Sequence, residues 1–210
     1  MQVLAIAREA YGAHVDLLTG MHRLRHKVFK DRLGWNVCVV GDMEIDNYDG
    51  LGPTYLLVVG DDKTVLGSAR LLPTTGPYML SDTFPELLDG QPVPRSERLI
   101  ESSRFCVDTE RAEELGSAGL NKATFMLLSA VLEWGLHARA EAIVTVTDLR
   151  MERILRRAGW GMSRLGEPKK IGITTALAGM LEVSLPLTQR IREAAGLRGP
   201  VLTHALAAAA

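Results

Sequence analysis

The chain has 210 residues, 47% hydrophobic and 23% charged. That is the composition of a globular protein able to bury one good core, so a single domain over 1–200 with a frayed Ala-rich tail at 201–210 is expected. The 24 basic and 25 acidic residues leave a net charge of -1, which argues against a general nucleic-acid binder. No stretch approaches the ~18 consecutive apolar residues of a membrane span, and the opening MQVLAIAREAYG has no basic segment leading a long apolar run, so a soluble, cytoplasmic protein is expected.

Met1 to Ala7 is short and apolar and reads as an opening strand. From Ala10 to Leu33, apolar residues at 15, 18, 21, 24 and 28 recur in steps of three and four, the spacing of a helix that Gly34 ends. Arg25 and Phe29 lie one turn apart on it, and Trp35 follows the exit. Asn36 to Gly52 is acidic and aperiodic, a long loop of the kind that is often functional. Tyr55–Val59 and Val65–Leu72 are strands joined by the turn Gly60-Asp61-Asp62-Lys63. Pro73 to Arg98 holds five prolines and reads as a surface excursion with a short helix near Phe84–Leu88. Leu99–Val107 is the next strand, Gly119–Ala138 a long apolar helix, Ala142–Thr147 a β-branched strand, and Met151–Ala158 a helix stopped by Gly159. Lys170–Thr174 and Leu181–Leu185 read as final strands. Strands alternating with helices, and a hairpin among them, predict an α/β three-layer sandwich on a mixed sheet.

Across this frame, Arg25, Phe29, Trp35, Asp46, Asp49, Arg70, Glu101 and Arg104 exceed what solubility needs. Arginines suit a carboxylate, acids an ammonium or sulfonium, and rings a purine or a cation face. Together they fit a small zwitterionic cation with the shape of S-adenosylmethionine. Taken one at a time, Phe29 and Trp35 are also ordinary core residues, Arg25 a solvated helix charge, and the two aspartates turn formers. The acids lack calcium-loop spacing, and no metal site is expected. Glu101 on an otherwise apolar strand is costly unless paired or used. Strand alternation puts Glu101, Ser103 and Phe105 on one face and Arg104 on the other, so a bulge near Glu101–Arg104 is expected if both are to act together.

Thr145 and Thr147 share a face of a buried strand, as β-branched filler or as polar contacts in an apolar tunnel. Met79 and Met126 fill gaps in most cores and would also suit a flexible acyl chain. Arg150, Arg153 and Arg157 fall on one helix face, with Lys169 and Lys170 nearby, either a solvated helix or a docking patch for an acidic carrier protein or a phosphate. Cys38 and Cys106 have no metal spacing and read as reduced, packed thiols. There is no G-x-S-x-G, G-x-G-x-x-G or Walker loop.

The array Arg25…Phe29…Trp35…Asp46-x-x-Asp49…Arg70…Glu101-x-x-Arg104, with HRLRHKVF, ARLLPTTGPYML, ESSRFCVD and VTVTDLRMERILRRAGW, resembles the LuxI-type acyl-homoserine lactone synthases, in particular their TraI-like branch of rhizobia and agrobacteria. The resemblance runs from about Met21 to Ile173. It implies a GNAT-like fold and a reaction between S-adenosylmethionine, as substrate rather than cofactor, and an acyl-acyl carrier protein, yielding an acyl-homoserine lactone and methylthioadenosine. On that expectation Glu101 is the base that frees the amine, and N–H groups around Ser103 to Phe105 hold the oxyanion. Arg25, Phe29, Trp35, Asp46, Asp49 and Arg104 bind S-adenosylmethionine, and Arg70 binds it or braces the aspartates. The acyl chain is expected between the central strands against Met79, Phe105, Met126, Leu128, Thr145 and Thr147. The rivals are a GNAT acetyltransferase using acyl-CoA, whose pyrophosphate loop the glycines of DTERAEELGSAGLNK do not fit, and a non-catalytic sensor on the same fold.

Overall fold

A computed structural model of the chain describes residues 1–111 and 122–202. Its strands are β1 (Gln2–Ile6), β2 (Val39–Val40), β3 (Met43–Glu44), β4 (Thr54–Val59), β5 (Val65–Pro73), β6 (Leu99–Val107), β7 (Ala142–Asp148), β8 (Met162–Arg164), β9 (Lys169–Ile171) and β10 (Thr174–Glu182). Its α-helices are α1 (Val15–Arg25), α2 (Met79–Asp82), α3 (Lys122–His137), α4 (Leu149–Arg157) and α5 (Leu185–Ala194). The main sheet runs β1-β4-β5-β6-β7-β10-β8, with β9 also on β10, and only β6–β7 pair parallel.

Period-two alternation divides each central strand between two cores. From β4, Leu56 and Val58 join a cluster with Phe125, Leu127, Leu155 and Leu187, so α3, α4 and α5 cover one face. Tyr55, Leu57 and Val59 point the other way, to Met21 and Leu24 of α1. Farther along that second face, Leu72, Leu80, Leu87 and Val144 form a third cluster. The result is the expected three-layer sandwich.

Two departures from regular sheet geometry make the site. β6 and β7 pair only from Leu99–Glu101 to Ala142–Val144 and then part. On its other edge β6 carries a bulge: Ser68 faces Cys106 and Arg70 faces Ser103, so three steps on β6 match two on β5. Arg104 sits in the extra step with φ +52°, a left-handed conformation rare for a bulky residue. This is the irregularity that the spacing of Glu101 and Arg104 predicted.

The predicted 10–33 helix is three segments: a 3-10 helix at Arg8–His14, α1, and a π-helix at His26–Arg32. Apolar spacing alone does not separate these windings. Gly34, at φ +64°, releases the chain, and Trp35 N–H turns back onto Phe29 O at 2.9 Å. The 36–52 loop contains the β2–β3 hairpin and a 3-10 turn at Asn47–Leu51. The excursion before β6 holds α2 and a 3-10 turn at Pro85–Leu88, within the short helix expected there.

The strand read at Leu181–Leu185 is a correction. Its first two residues end β10, and Leu185 opens α5, with Pro186 in the first helical turn, where a missing N–H costs nothing. Leu202 bridges to Val3, and the Glu133 carboxylate accepts the N–H groups of Val201 and Leu202 at 3.0 and 2.9 Å. Residues 203–210 of the expected frayed tail lie outside the described residues. So do 112–121, which hold the start of the predicted 119–138 helix and the glycines weighed against a CoA loop.

Candidate active site

Asp46-x-x-Asp49 is a capping box on the Asn47–Leu51 turn. Asp46 accepts the N–H of Tyr48 at 2.9 Å, and Asp49 accepts the N–H of Asp46 at 2.8 Å. The turn-forming reading of these residues therefore holds, and it also aims their remaining oxygens at three arginines. Arg25, the last residue of α1, grips Asp49 with two parallel bonds of 2.8 and 2.9 Å and also bonds Glu44. Arg70 on β5 reaches Asp46, Asp49 at 3.0 Å and Ser103 Oγ at 3.1 Å. Arg104, turned by the bulge, reaches Glu44 at 3.0 Å and Asp46 Oδ2 at 2.7 Å.

Three cations and three carboxylates thus close a balanced network in which Arg25, Arg70 and Glu44 are fully buried. Burial pushes the Asp49 carboxyl up, but the bonds and charge of Arg25, with Arg70, outweigh it and hold the group well below the usual carboxylate range. Tyr55 donates to Asp49 at 2.7 Å, and His22 Nδ1 lies 2.9 Å from Glu44 O. Glu44 is the member that sequence reasoning missed. The available signal was the count: three clustered arginines need three nearby acids, and Glu101 turns out to be engaged elsewhere.

A cavity of about 740 Å³ opens beside this network and passes through the sheet at the β6–β7 split. On the α1 face its wall includes Phe29, Trp35, Asp46, Tyr48, Met79 and Arg104. Phe29 and Trp35 stack with centroids 5.3 Å apart and an 11° tilt, and the Arg104 guanidinium lies 5.6 Å over the Phe29 ring. The Met79 sulfur receives Arg70 at 3.1 Å and Arg104 at 3.3 Å, a weak acceptor for two charged donors. Asp46 Oδ2 is buried and takes no aligned hydrogen bond.

On the opposite face the wall is apolar. Of the expected acyl residues, Phe105, Leu128, Thr145 and Thr147 line it, whereas Met79 is a correction: it stands in the charged lobe with its sulfur against Arg70 and Arg104. Thr145 Oγ1 donates to Ser102 O at 2.8 Å, bridging the strands where they part. Met126 is a correction: it is packed in the core, because α3 is buried on every side from Ala123 to Leu132 and periodicity cannot single out the face that meets a cavity. Val131, Ile154, Trp160 and Leu181 belong to the wall and were not anticipated.

Glu101 stands behind the wall. It is fully buried, and its two oxygens accept the N–H groups of Met79 at 3.1 Å and Leu80 at 2.9 Å, at the start of α2. Burial raises its pKa, opposed in part by those two bonds. This is not where a base in direct contact with substrate belongs. Arg25, Asp49 and Arg70 also stand behind the wall, as braces for Asp46 and Arg104, so Arg70 takes the scaffold alternative.

The basic cluster divides as well. Arg150 is exposed at the cavity rim, and Arg153 is exposed on α4. Lys169 is tied to Asp89 and Glu86 O and so fastens β9 to the Pro85–Leu88 turn, whereas Lys170 lies 3.4 Å from Ile173 O within its own hairpin. Among the described residues no helix is long and apolar enough to cross a membrane.

Comparisons with known proteins agree with this geometry. The family model described as autoinducer synthase matches residues 10–191. A probable acyl-homoserine-lactone synthase of Sinorhizobium fredii is 46% identical over 194 residues, covering 92% of this chain and 93% of that protein. Among solved structures, the AHL synthase LasI aligns with TM-score 0.79 and 40% identity over 96% of each chain. TofI, solved in a ternary complex with an inhibitor and MTA, aligns with TM-score 0.75 and 29% identity over 94% of this chain and 98% of its own. The GNAT-like sandwich is common to these enzymes and to more distant acetyltransferases. The chain belongs to the autoinducer synthase family, acyltransferases that make acyl-homoserine lactones.

Proposed function

We propose that the enzyme acylates the amine of S-adenosylmethionine from an acyl-acyl carrier protein thioester and then closes the lactone, releasing methylthioadenosine. The cavity carries this reading: one continuous space has a charged, aromatic lobe on one face of the sheet and an apolar lobe on the other, meeting at the split. The MTA held by TofI supports it, since methylthioadenosine is the fragment this reaction leaves.

In this reading the Phe29–Trp35 stack takes the adenine and Arg104 the carboxylate. The ammonium is met by the Asp46 carboxylate, whose Oδ2 is ion-paired with Arg104 at 2.7 Å but takes no aligned hydrogen bond. An α-amino group has an ordinary pKa of roughly 8, so loss of one proton to water beside Asp46 needs little help. The amine lone pair attacks the thioester carbonyl, and the oxyanion is met by N–H groups of the bulged Arg104–Phe105 step, which has no register partner on β5. Collapse breaks the C–S bond, and the thiolate leaves with the second amine proton. The substrate carboxylate oxygen then attacks its own γ-carbon, and the electron pair of the breaking C–S bond passes to the sulfonium, giving a neutral thioether. Positioning is the main demand of this step. Glu101 serves it by clamping α2, which sets the Met79 sulfur against both guanidinia.

The carrier protein, acidic in this reading, docks on the α4 face that bears Arg150, Arg153 and Arg157. The test is purified enzyme with S-adenosylmethionine and either an acyl-carrier protein or the matching acyl-CoA, followed by methylthioadenosine release and mass spectrometry of the lactone. Turnover with the carrier protein supports the proposal, turnover confined to acyl-CoA replaces the donor, and binding without release from either leaves a sensor.

A further inference from the structure

The apolar lobe runs inward from an exposed mouth to a buried end. Phe105, Thr147 and Ile154 of its wall are partly exposed, whereas Val131, Ile143, Leu181 and Trp160 are at most 3% exposed. The lobe therefore ends against a floor. Trp160 is the largest side chain of that floor, and it is fixed at both ends. Its N–H closes the turn after α4 on Leu155 O at 2.9 Å, beside Gly159 at φ +83°. Its indole Nε1 donates to Glu182 O at 2.9 Å. Swinging the ring aside would break that bond and leave the indole N–H without its acceptor. A methionine at this place would yield to a longer ligand, whereas an anchored indole does not.

We infer that Trp160 is a specificity-determining residue: its pinned ring closes the acyl lobe and sets the longest chain that the enzyme accepts. The inference rests on the synthase reading and adds to it which part of the donor is measured, and by what. The chemistry it recognises is the apolar end of the acyl chain, met by Val131, Ile143, Leu181 and the indole face.

The test pits wild type, Trp160→Leu and Trp160→Phe against an equimolar mixture of acyl-carrier proteins with chains of four to fourteen carbons, reading the lactone distribution by mass spectrometry and total methylthioadenosine in parallel. One methylene in an apolar pocket is worth about 10- to 200-fold in specificity. Trp160→Leu should therefore raise the ratio of chains about two carbons longer to the wild-type product by at least about tenfold. Trp160→Phe, a smaller removal that keeps an aromatic ring, should move the distribution the same way by less. A wild-type distribution from either variant, with a native unfolding midpoint, overturns the inference. Absence of methylthioadenosine from the wild type with every carrier-protein donor, and with the matching acyl-CoAs run alongside, would instead overturn the synthase reading.

Discussion

The two lobes of the cavity are built on opposite principles. On the α1 face, position is dictated by directed bonds: six charged groups fix one another, and the capping box fixes the acids. On the α3 face, position is dictated by volume, with Thr145 and Trp160 supplying the directed bonds at the split and the floor. A directed network has one arrangement and fails when a member is lost. A packed apolar wall tolerates substitution and changes shape. The charged lobe should thus decide whether the enzyme works, and the apolar lobe what it works on.

The strongest blow to that contrast is Arg25→Ala. It takes one cationic partner from each of the buried carboxylates of Glu44 and Asp49, leaving Glu44 with Arg104 and Asp49 with Arg70, and loss of one partner of such a group costs about 3–5 kcal/mol. Urea unfolding should show that loss, and an unchanged midpoint would mean that the network relaxes as freely as the apolar wall. Acid probes the same bonds. The folded-state pKa of Asp49 is depressed, so its contribution is complete above its unfolded value near ~3.9 and drains away as pH falls toward the folded value. Asp49→Asn should flatten that part of the stability profile.

Next comes Glu101→Gln. The amide offers one acceptor and one donor to two N–H groups, so α2 shifts, and misplacement near 1 Å costs on the order of a hundredfold in turnover. The shape of the pH–rate curve should survive. If its acidic limb disappears, Glu101 is the base after all. Trp35→Ala removes one ring of the stack, worth about 0.5–1.5 kcal/mol, and should raise KM for S-adenosylmethionine about three- to tenfold with little change in kcat. The smallest effect is expected from Arg153→Glu on exposed α4: a few-fold rise in KM for the carrier protein that fades at high salt. A rise that persists in salt would point to packing instead of charge.

The same contrast explains what could be read from the sequence. The charged lobe was legible as a set, because three arginines and three acids with two aromatics exceed what solubility needs, although Arg25 alone also reads as a solvated helix charge and Asp46 and Asp49 as turn formers. The bulge was legible for a related reason: Glu101 and Arg104, three apart, serve one face only if the pleat is interrupted. Partner choice was not legible, since Glu101 and Glu44 are equally acidic and only the fold sends one to α2 and the other to Arg25. The apolar lobe was legible in part: Phe105, Leu128, Thr145 and Thr147 were expected there and line it, but Met126 was misplaced and Val131 missed because both lie on a helix buried all round. The π-helix at His26–Arg32 leaves no mark in composition, and the apolar run before α5 continues the pattern of β10 across a turn.

The three-residue pairing between β6 and β7 has a consequence for how the reaction ends. Under the proposed chemistry, the product has its ring on one face of the sheet and its tail on the other, so it is threaded through the fabric of the protein. It cannot be lifted straight off either face. Withdrawal along the slit, toward the C-terminal ends of the two strands at Val107 and Asp148, breaks no strand pairing between β6 and β7, whereas methylthioadenosine in this reading lies wholly on one face.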